Sequence, residues 1–168
     1  MPRFTPGTAE SVVEIQQLIA EWCRELDING GTDIASLCTE DCTYILAGKP
    51  HIGHAAIRAF YAARNERVRA QQRDGVRTQR HAISNFLTTF DAPDSASVAF
   101  TLVNYSGEGK PPIVNLVGPT IVADCRMAFQ HGSDGAWRIS LFDSTPIFIG
   151  NDPFLNASVV PKAAASGD

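Results

Sequence analysis

The chain has 168 residues, of which 44% are hydrophobic, and a formal net charge of −4. This length predicts one domain, over residues 1–160, with an apolar core that needs no disulfide or metal to fold. The negative charge excludes a general nucleic-acid footprint and an anionic-membrane surface, so we expect no nucleic acid and no membrane partner. The apolar runs are too short to span a bilayer and the first residues do not resemble a signal peptide, which predicts a soluble, cytoplasmic protein.

The first half of the sequence predicts three helices. The first covers residues 11–27, with a capping-box pattern at Ser11 or a start one turn earlier near Thr8, and ends at a glycine pair. Its apolar stripe consists of Val12, Ile15, Ile19, Trp22 and Leu26. A short second helix is predicted over 32–39, then a β-prone run over 42–46, and a third helix from Gly53 to about residue 70.

The second half predicts an antiparallel meander of four long strands, over residues 77–90, 96–106, 119–130 and 136–148. The third strand alternates cleanly, which indicates one covered and one partly exposed face. Three N-terminal helices on one face of a curved antiparallel sheet make an α+β fold. Phe154 and Leu155 of the segment 151–160 could cover a cavity mouth or reach a neighbouring subunit, and residues 161–168 have the composition of a frayed tail.

Asp27 and His81 are the candidates for chemistry. Asp27 stands at the C-terminal end of the first helix, where the helix dipole disfavours an anion, so another interaction must account for it. One interpretation is a hydrogen bond to the following turn, and the other is a carboxylate that orients a histidine. His81 lies on the first long strand, where it is either an ordinary strand histidine or a base whose second ring nitrogen is left free.

Four further residues are candidates for binding a substrate. Tyr44 could donate its hydroxyl to a carbonyl, and Trp22 could stack on a ring, although both residue types are often simple core aromatics. Ile83 and Asn85 fall on the strand face of His81 by alternation. The Asn85 amide would bind a substrate oxygen or, equally, a neighbouring strand.

Other motifs indicate less. The cysteines, at 23, 38, 42 and 125, lack zinc-site spacing and are expected to be reduced and buried. His51 and His54 lie three residues apart without a further ligand, so no metal is predicted. A basic run of arginines at positions 64, 67, 69, 73, 77 and 80 is typical of a solvated surface, with attraction of an acidic ligand or partner chain as the alternative.

The order of several short motifs resembles the SnoaL-like branch of the nuclear-transport-factor-two-like superfamily. These motifs are Leu26-Asp27, Asp41-Cys42-Thr43-Tyr44, Gly53-x-x-x-Ile57, Arg80-His81-x-x-Ser84-Asn85 and Gly135-Ala136-Trp137-Arg138-Ile139. The resemblance covers roughly residues 8–148 and implies a cone-shaped α+β barrel around a deep apolar cavity, often dimeric through the sheet. Within that branch, the sequence is similar to dehydratase-type lyases, which include scytalone dehydratase and the bile-acid dehydratases. It is also similar to a cofactor-free dehydrochlorinase.

In those enzymes an aspartate at the end of the first helix pairs with a histidine on the first long strand, which implies catalytic roles for Asp27 and His81, with Tyr44 near a phenol position. The resemblance thus implies a lyase or isomerase without a cofactor, acting on a small apolar cyclic molecule such as a polyketide, a steroid or an aromatic breakdown product. It also implies a homodimer or homo-oligomer through the sheet. The alternative is a non-catalytic binding or assembly subunit, similar to the β subunit of a ring-hydroxylating dioxygenase.

Overall fold

The computed structural model describes residues 4–116 and 118–159. Its helices are α1 (Pro6–Asn29), α2 (Gly53–Gln71) and α3 (Pro153–Val159). Its strands are β1 (Cys38–Leu46), β2 (Lys49–Ile52), β3 (Arg77–Ala92), β4 (Ser95–Glu108), β5 (Ile121–His131) and β6 (Trp137–Ile149). None of the described helices is long and apolar enough to cross a membrane. The frayed tail expected at 161–168 lies outside the described residues.

Helix α1 begins earlier than either start considered from the sequence. Thr5 is the N-cap: its hydroxyl accepts the Thr8 N–H, the Thr8 hydroxyl accepts the Thr5 N–H, and Pro6 occupies the first turn. The helix ends at Gly30, whose left-handed φ of 68° favours glycine. The extra turn leaves the position of Asp27, in the last turn, as predicted.

The segment between α1 and α2 differs from the prediction. The second helix is a single turn of 3-10 helix, Ile34–Leu37, and β1 starts directly after it, at Cys38. Directly after β1, Ala47 and Gly48 both have positive φ. They form a tight turn that folds β2 back onto β1.

The six strands form one mixed sheet in the order β2-β1-β6-β5-β4-β3. Strands β3 to β6 make the expected antiparallel meander. The β1–β6 pair is parallel, so the prediction of a wholly antiparallel sheet was wrong at that one junction. The α+β class is confirmed, with a sheet that is curled but not closed.

The helices cover the inner face of this sheet. The alternation of β5 is confirmed, because every second residue from Ile121 to Phe129 is buried. Helix α3 was not predicted from the sequence. Its Leu155 contacts the core, and its Phe154 ring lies beneath the Arg67 and Arg77 guanidinium groups, which are 4.4 and 4.7 Å from the ring centre. The core therefore extends to the segment whose role the sequence left open.

Candidate active site

Asp27 and His81 are in direct contact. Asp27 Oδ1 lies 2.7 Å from His81 Nδ1, and Oδ2 accepts the backbone N–H of His81 at 3.0 Å. Each side chain is only 9% exposed. The carboxylate is thus held by two hydrogen bonds from one residue. Of the two interpretations of Asp27, the contact with a histidine is observed and the hydrogen bond to the following turn is not.

This arrangement determines where the imidazole carries its hydrogen. A carboxylate only accepts, so Nδ1 carries the hydrogen of the Asp27 bond and, in the neutral ring, Nε2 keeps its lone pair. Among the described residues none makes a hydrogen bond to Nε2. Nε2 is therefore positioned as an acceptor for a proton that comes from outside the described chain.

The free edge of β3 explains why an anion stands at the C-terminus of α1. Strand β3 is last in the sheet, so the outward N–H groups of its first half need acceptors from elsewhere. Asp27 supplies one for His81, while Gln79 donates its side-chain N–H to the Leu26 carbonyl at 2.7 Å. Arg64 donates to the Gln79 side-chain oxygen at 2.7 Å. The Gln79 amide therefore connects the Arg64 guanidinium to the C-terminal end of α1, where a positive charge is favourable.

The predicted substrate-facing aromatics, Trp22 and Tyr44, lie side by side in the core. The Trp22 indole N–H donates to the Tyr44 hydroxyl at 2.9 Å, and that hydroxyl is 2.8 Å from the Tyr61 hydroxyl. Trp22 packs on Phe142 with ring centres 4.9 Å apart, and its ring centre is 6.2 Å from that of His81. Tyr44 is fully buried, so in this conformation neither aromatic faces an open space.

Burial also governs the acidity of the two phenols. It raises the pKa of Tyr44 well above its ordinary value, and the neighbouring Tyr61 hydroxyl adds to the effect. The pKa of Tyr61 is raised by burial as well. Both groups are neutral hydrogen-bond donors at physiological pH.

Asn85 does not share a face with His81, contrary to the prediction. The backbone of Asn85 has a φ of +60°, and the β3–β4 register shifts between Ser84 and Leu87. This β-bulge reverses the alternation, so Asn85 lies beside Thr101 on the outer face, with 3.5 Å between its amide nitrogen and the Thr101 hydroxyl. Ile83 precedes the bulge and packs against the core opposite Leu102, on the His81 side.

Three residues that sequence reasoning missed belong to this region. Phe86 takes the inner-face place after the bulge, where its ring lies 5.9 Å from that of Phe100. Tyr61 completes the hydrogen-bonded pair with Tyr44. Asn104 lies directly opposite His81 in the β3–β4 register and is buried. Asn104 and Ser106 are polar residues at inward positions of β4, whose earlier inward positions are mostly apolar, but this pattern does not tell which of them lies beside His81.

The interior beside His81 is filled by side chains. The Trp22, Tyr44 and Phe142 rings pack on one another where the resemblance implied a deep cavity. Two open surface pockets of about 320 and 270 Å³ are found on the described chain, and His81 lines neither of them. Asp27 lines the smaller one. Neither of these two pockets therefore reaches the His81 ring.

The four cysteines are free and buried, as predicted. Burial, with the Asp27 charge as the next cause, raises the pKa of Cys23 to about 12. Burial raises the pKa of Cys125 to about 11. These thiols behave as small apolar core residues.

The histidine pair and the basic run mainly make contacts within the chain. His54 Nε2 lies 3.1 Å from the Cys38 carbonyl oxygen, and His51 packs on the Phe60 ring. No cluster of three or more metal-ligating side chains occurs in residues 4–116 and 118–159. In the basic run, Arg77 pairs with the Asp152 carboxylate in a buried ion pair, and Arg73 donates to the Glu108 carbonyl.

The SnoaL-like domain model matches residues 7–143, so the chain belongs to the SnoaL-like family. No curated protein matches the sequence. Three solved structures from Novosphingobium aromaticivorans are similar in fold. A candidate scytalone dehydratase has 16% identity and a TM-score of 0.71, covering 89% of this chain and 92% of its own.

The second of these structures is an NTF2-like protein with a cystatin-like fold, which has 20% identity, a TM-score of 0.66 and coverages of 92% and 91%. The third is a candidate aromatic ring hydroxylase, with 21% identity, a TM-score of 0.63 and coverages of 83% and 91%. At these identities the similarity establishes the fold alone. One of the three names states a dehydratase, one a ring hydroxylase, and one no activity.

Proposed function

We propose that this protein is a cofactor-independent lyase or isomerase that acts on a small cyclic molecule through Asp27 and His81. The observation that carries the proposal is the 2.7 Å contact between Asp27 Oδ1 and His81 Nδ1, in which the same carboxylate also binds the His81 backbone. A histidine fixed at two points, with Nε2 free of partners among the described residues, has the geometry of a general base.

In the proposed step, Nε2 takes a proton from the carbon next to a ring carbonyl. The electron pair of that C–H bond moves to the carbonyl oxygen as an enolate, and the imidazolium is stabilised by the Asp27 carboxylate. The enolate then either expels a β-hydroxyl, which leaves as water with a proton returned by the imidazolium, or, where a β,γ double bond extends it to a dienolate, is reprotonated by the imidazolium at the γ-carbon. The first outcome is a dehydration and the second is an isomerisation.

The phenol pair supports a role in holding the carbonyl oxygen. Trp22, Tyr44 and Tyr61 bring three donor hydrogens to a cluster with two hydrogen bonds between them. One hydroxyl hydrogen is thus left over, and a ligand carbonyl is an acceptor that would satisfy it. We propose that the ring enters past Ile83 and Phe86, where Phe86 is 37% exposed, and displaces Trp22 from its present packing.

A dehydration assay tests this function. The β-hydroxy derivative of α-tetralone gives α-naphthol when it loses water, and the aromatic product is followed by its absorbance. We expect turnover by the purified protein that falls by about 10²-fold or more in His81→Ala and in Asp27→Asn, the scale of general-base catalysis. His51→Ala, which removes a histidine away from the site, is the matched control and keeps the full rate. Wild-type turnover by the double variant His81→Ala/Asp27→Asn would overturn the proposal.

The second candidate function is a non-catalytic assembly subunit, as in the β subunits of ring-hydroxylating dioxygenases. It is favoured by the filled interior, because a core built of Trp22, Tyr44 and Phe142 needs no ligand to be stable. Co-purification with a larger iron–sulfur subunit, together with absence of turnover on every cyclic hydroxy ketone offered, would support it over the lyase.

For assembly we propose a homodimer through the outer face of the sheet. An apolar row crosses four strands there, formed by Ala82, Val103, Val122 and Phe148 in register, and Phe148 is 68% exposed. A second copy of the same twisted face would bury this row. Sedimentation should give a dimer for the wild type and a monomer for Phe148→Asp, and a monomeric wild type would refute it.

A further inference from the structure

The Asn104 side-chain oxygen has no hydrogen-bond partner among residues 4–116 and 118–159. The residue is 7% exposed, and its side-chain Oδ1 is buried without a hydrogen bond. Its backbone carbonyl is satisfied twice, by the Thr120 N–H at 2.8 Å and by the Thr120 hydroxyl at 3.0 Å. The side-chain amide of Asn104 therefore makes no hydrogen bond within the described residues, and its oxygen is the fully buried atom of the two. A buried acceptor without a donor is destabilising.

The neighbouring polar side chains on the same inner face do not share this feature. Ser106, two residues along β4, contacts Arg77, Thr120 and Asp152. Gln79, its partner on β3, has both ends of its amide engaged. Of these three inner-face side chains, Asn104 is the one whose oxygen has no donor among the described residues, and on α3 the Asn156 side-chain oxygen is also without one.

Asn104 lies beside the pair formed by Asp27 and His81. Asn104 and His81 are Cα partners in the β3–β4 ladder. Because the His81 N–H donates to Asp27, away from β4, the two residues form a non-hydrogen-bonded pair, the kind in which side chains approach most closely. Asn104 alternates with the buried Phe100 and Leu102, so it lies on the same inner face as the imidazole.

We propose that Asn104 Oδ1 is the acceptor for a hydroxyl group of the substrate, and that it selects hydroxylated rings over rings that lack a donor. This inference rests on the proposed function, because it uses the same binding site. A carbonyl oxygen cannot satisfy Oδ1, whereas an O–H can, so an analogue without the hydroxyl leaves the acceptor unpaired.

The chemistry also restricts which hydroxyl is bound. A hydroxyl that is eliminated leaves the site as water, after which Oδ1 is again unpaired, whereas a hydroxyl that stays on the ring keeps Oδ1 paired through the reaction. The hydroxyl on Asn104 is consequently one that the substrate retains, separate from any group eliminated through His81. The substrate class is then a cyclic ketone with at least one additional ring hydroxyl, such as a phenolic one.

Binding of α-naphthol, β-naphthol and naphthalene tests this without requiring turnover. Dissociation constants are measured by NMR titration, followed at the backbone amides of His81 and Asn104. We expect the tighter-binding naphthol to bind the wild type about tenfold better than naphthalene, the scale of one buried hydrogen bond. In Asn104→Leu the naphthol should lose this advantage.

Asn85→Gly is the matched control, since it removes an asparagine amide from the opposite face of the same region and suits the positive φ there. It should leave the preference unchanged. Asn104→Leu should also raise the midpoint of thermal unfolding, because it removes an unpaired acceptor. A structurally required amide would lower it. If Asn104→Leu does not fold, Asn104→Ala serves for the same comparison.

The outcomes separate this inference from the proposed function. Equal affinities of the wild type for naphthols and naphthalene, or no binding of any of them, would overturn the inference even with turnover intact. A hydroxyl preference that depends on Asn104 in a protein without any turnover would support the inference and count against catalysis. Retention of the preference in Asn104→Leu would also overturn it.

Discussion

Replacing Asp27 by asparagine should change the tautomer of His81. Asparagine presents one acceptor and one donor where the carboxylate presents two acceptors. The His81 backbone N–H is held by the edge of β3 and keeps pointing at position 27, so the new carbonyl oxygen must accept it. The new NH₂ group then faces Nδ1, which has to become the acceptor. The ring hydrogen moves to Nε2, and the lone pair that a base needs is lost.

The cost to stability follows from the same two bonds. Asp27→Ala leaves two donors without an acceptor in a site where both side chains are 9% exposed. At about 1–3 kcal/mol for each donor, less about 0.3–1 kcal/mol gained by removing an anion from a helix C-terminus, we expect a loss of about 2–5 kcal/mol. Asp27→Asn keeps one bond and makes the other in reverse, so it should lose about 1–2 kcal/mol.

Nitrogen-15 NMR of the imidazole distinguishes the tautomers, and urea unfolding gives the free energies. The exposed Glu21→Gln on the same helix is the control and should change stability by less than about 0.5 kcal/mol. The reasoning would be refuted if Nε2 remained unprotonated in Asp27→Asn, or if Asp27→Ala were as stable as the control.

Three further predictions concern the rest of the fold. Asp152→Asn breaks a buried ion pair and should cost about 3–5 kcal/mol in urea unfolding, whereas Asp134→Asn breaks an exposed pair and should leave the curve unchanged; equal losses would contradict this. Tyr44→Phe removes the acceptor of the buried Trp22 indole N–H and should cost about 1–3 kcal/mol, and an unchanged unfolding midpoint would be inconsistent with the observed bond. The raised pKa of Cys23, about 12 against an ordinary 9.0, means that the unfolded chain loses this proton first, so the free energy of unfolding should fall as the pH rises between these values. The fall should be shallower in Cys23→Ala, and an identical slope would contradict the assignment.

Most of the fold could be predicted because its signals are local. The spacing of apolar residues in α1 and the clean alternation in β5 report directly which face is buried. The contact between Asp27 and His81, which the resemblance implied, is observed. The start of α1 was missed because a capping box at Thr5 and Thr8, made of two threonines, lacks the glutamate of the usual signature.

The details of the site could not be predicted because they depend on contacts across the sheet. Alternation placed Asn85 with His81, but a bulge with a left-handed residue reverses the faces, and nothing in the local sequence requires it. Asn104 became visible only when the register set it opposite His81. The sequence did not show that the Tyr44 hydroxyl lies between the Trp22 indole N–H and the Tyr61 hydroxyl.

The most direct test of the central claim is proton exchange in D₂O. A hydroxylated α-tetralone has hydrogens next to its carbonyl, and their replacement by deuterium is followed by NMR without any requirement for a leaving group. If His81 Nε2 is the base, the wild type accelerates the exchange, while His81→Ala and Asp27→Asn lose at least about 10²-fold of that acceleration. Exchange at the uncatalysed rate with wild-type protein, or undiminished exchange with His81→Ala, would contradict the account.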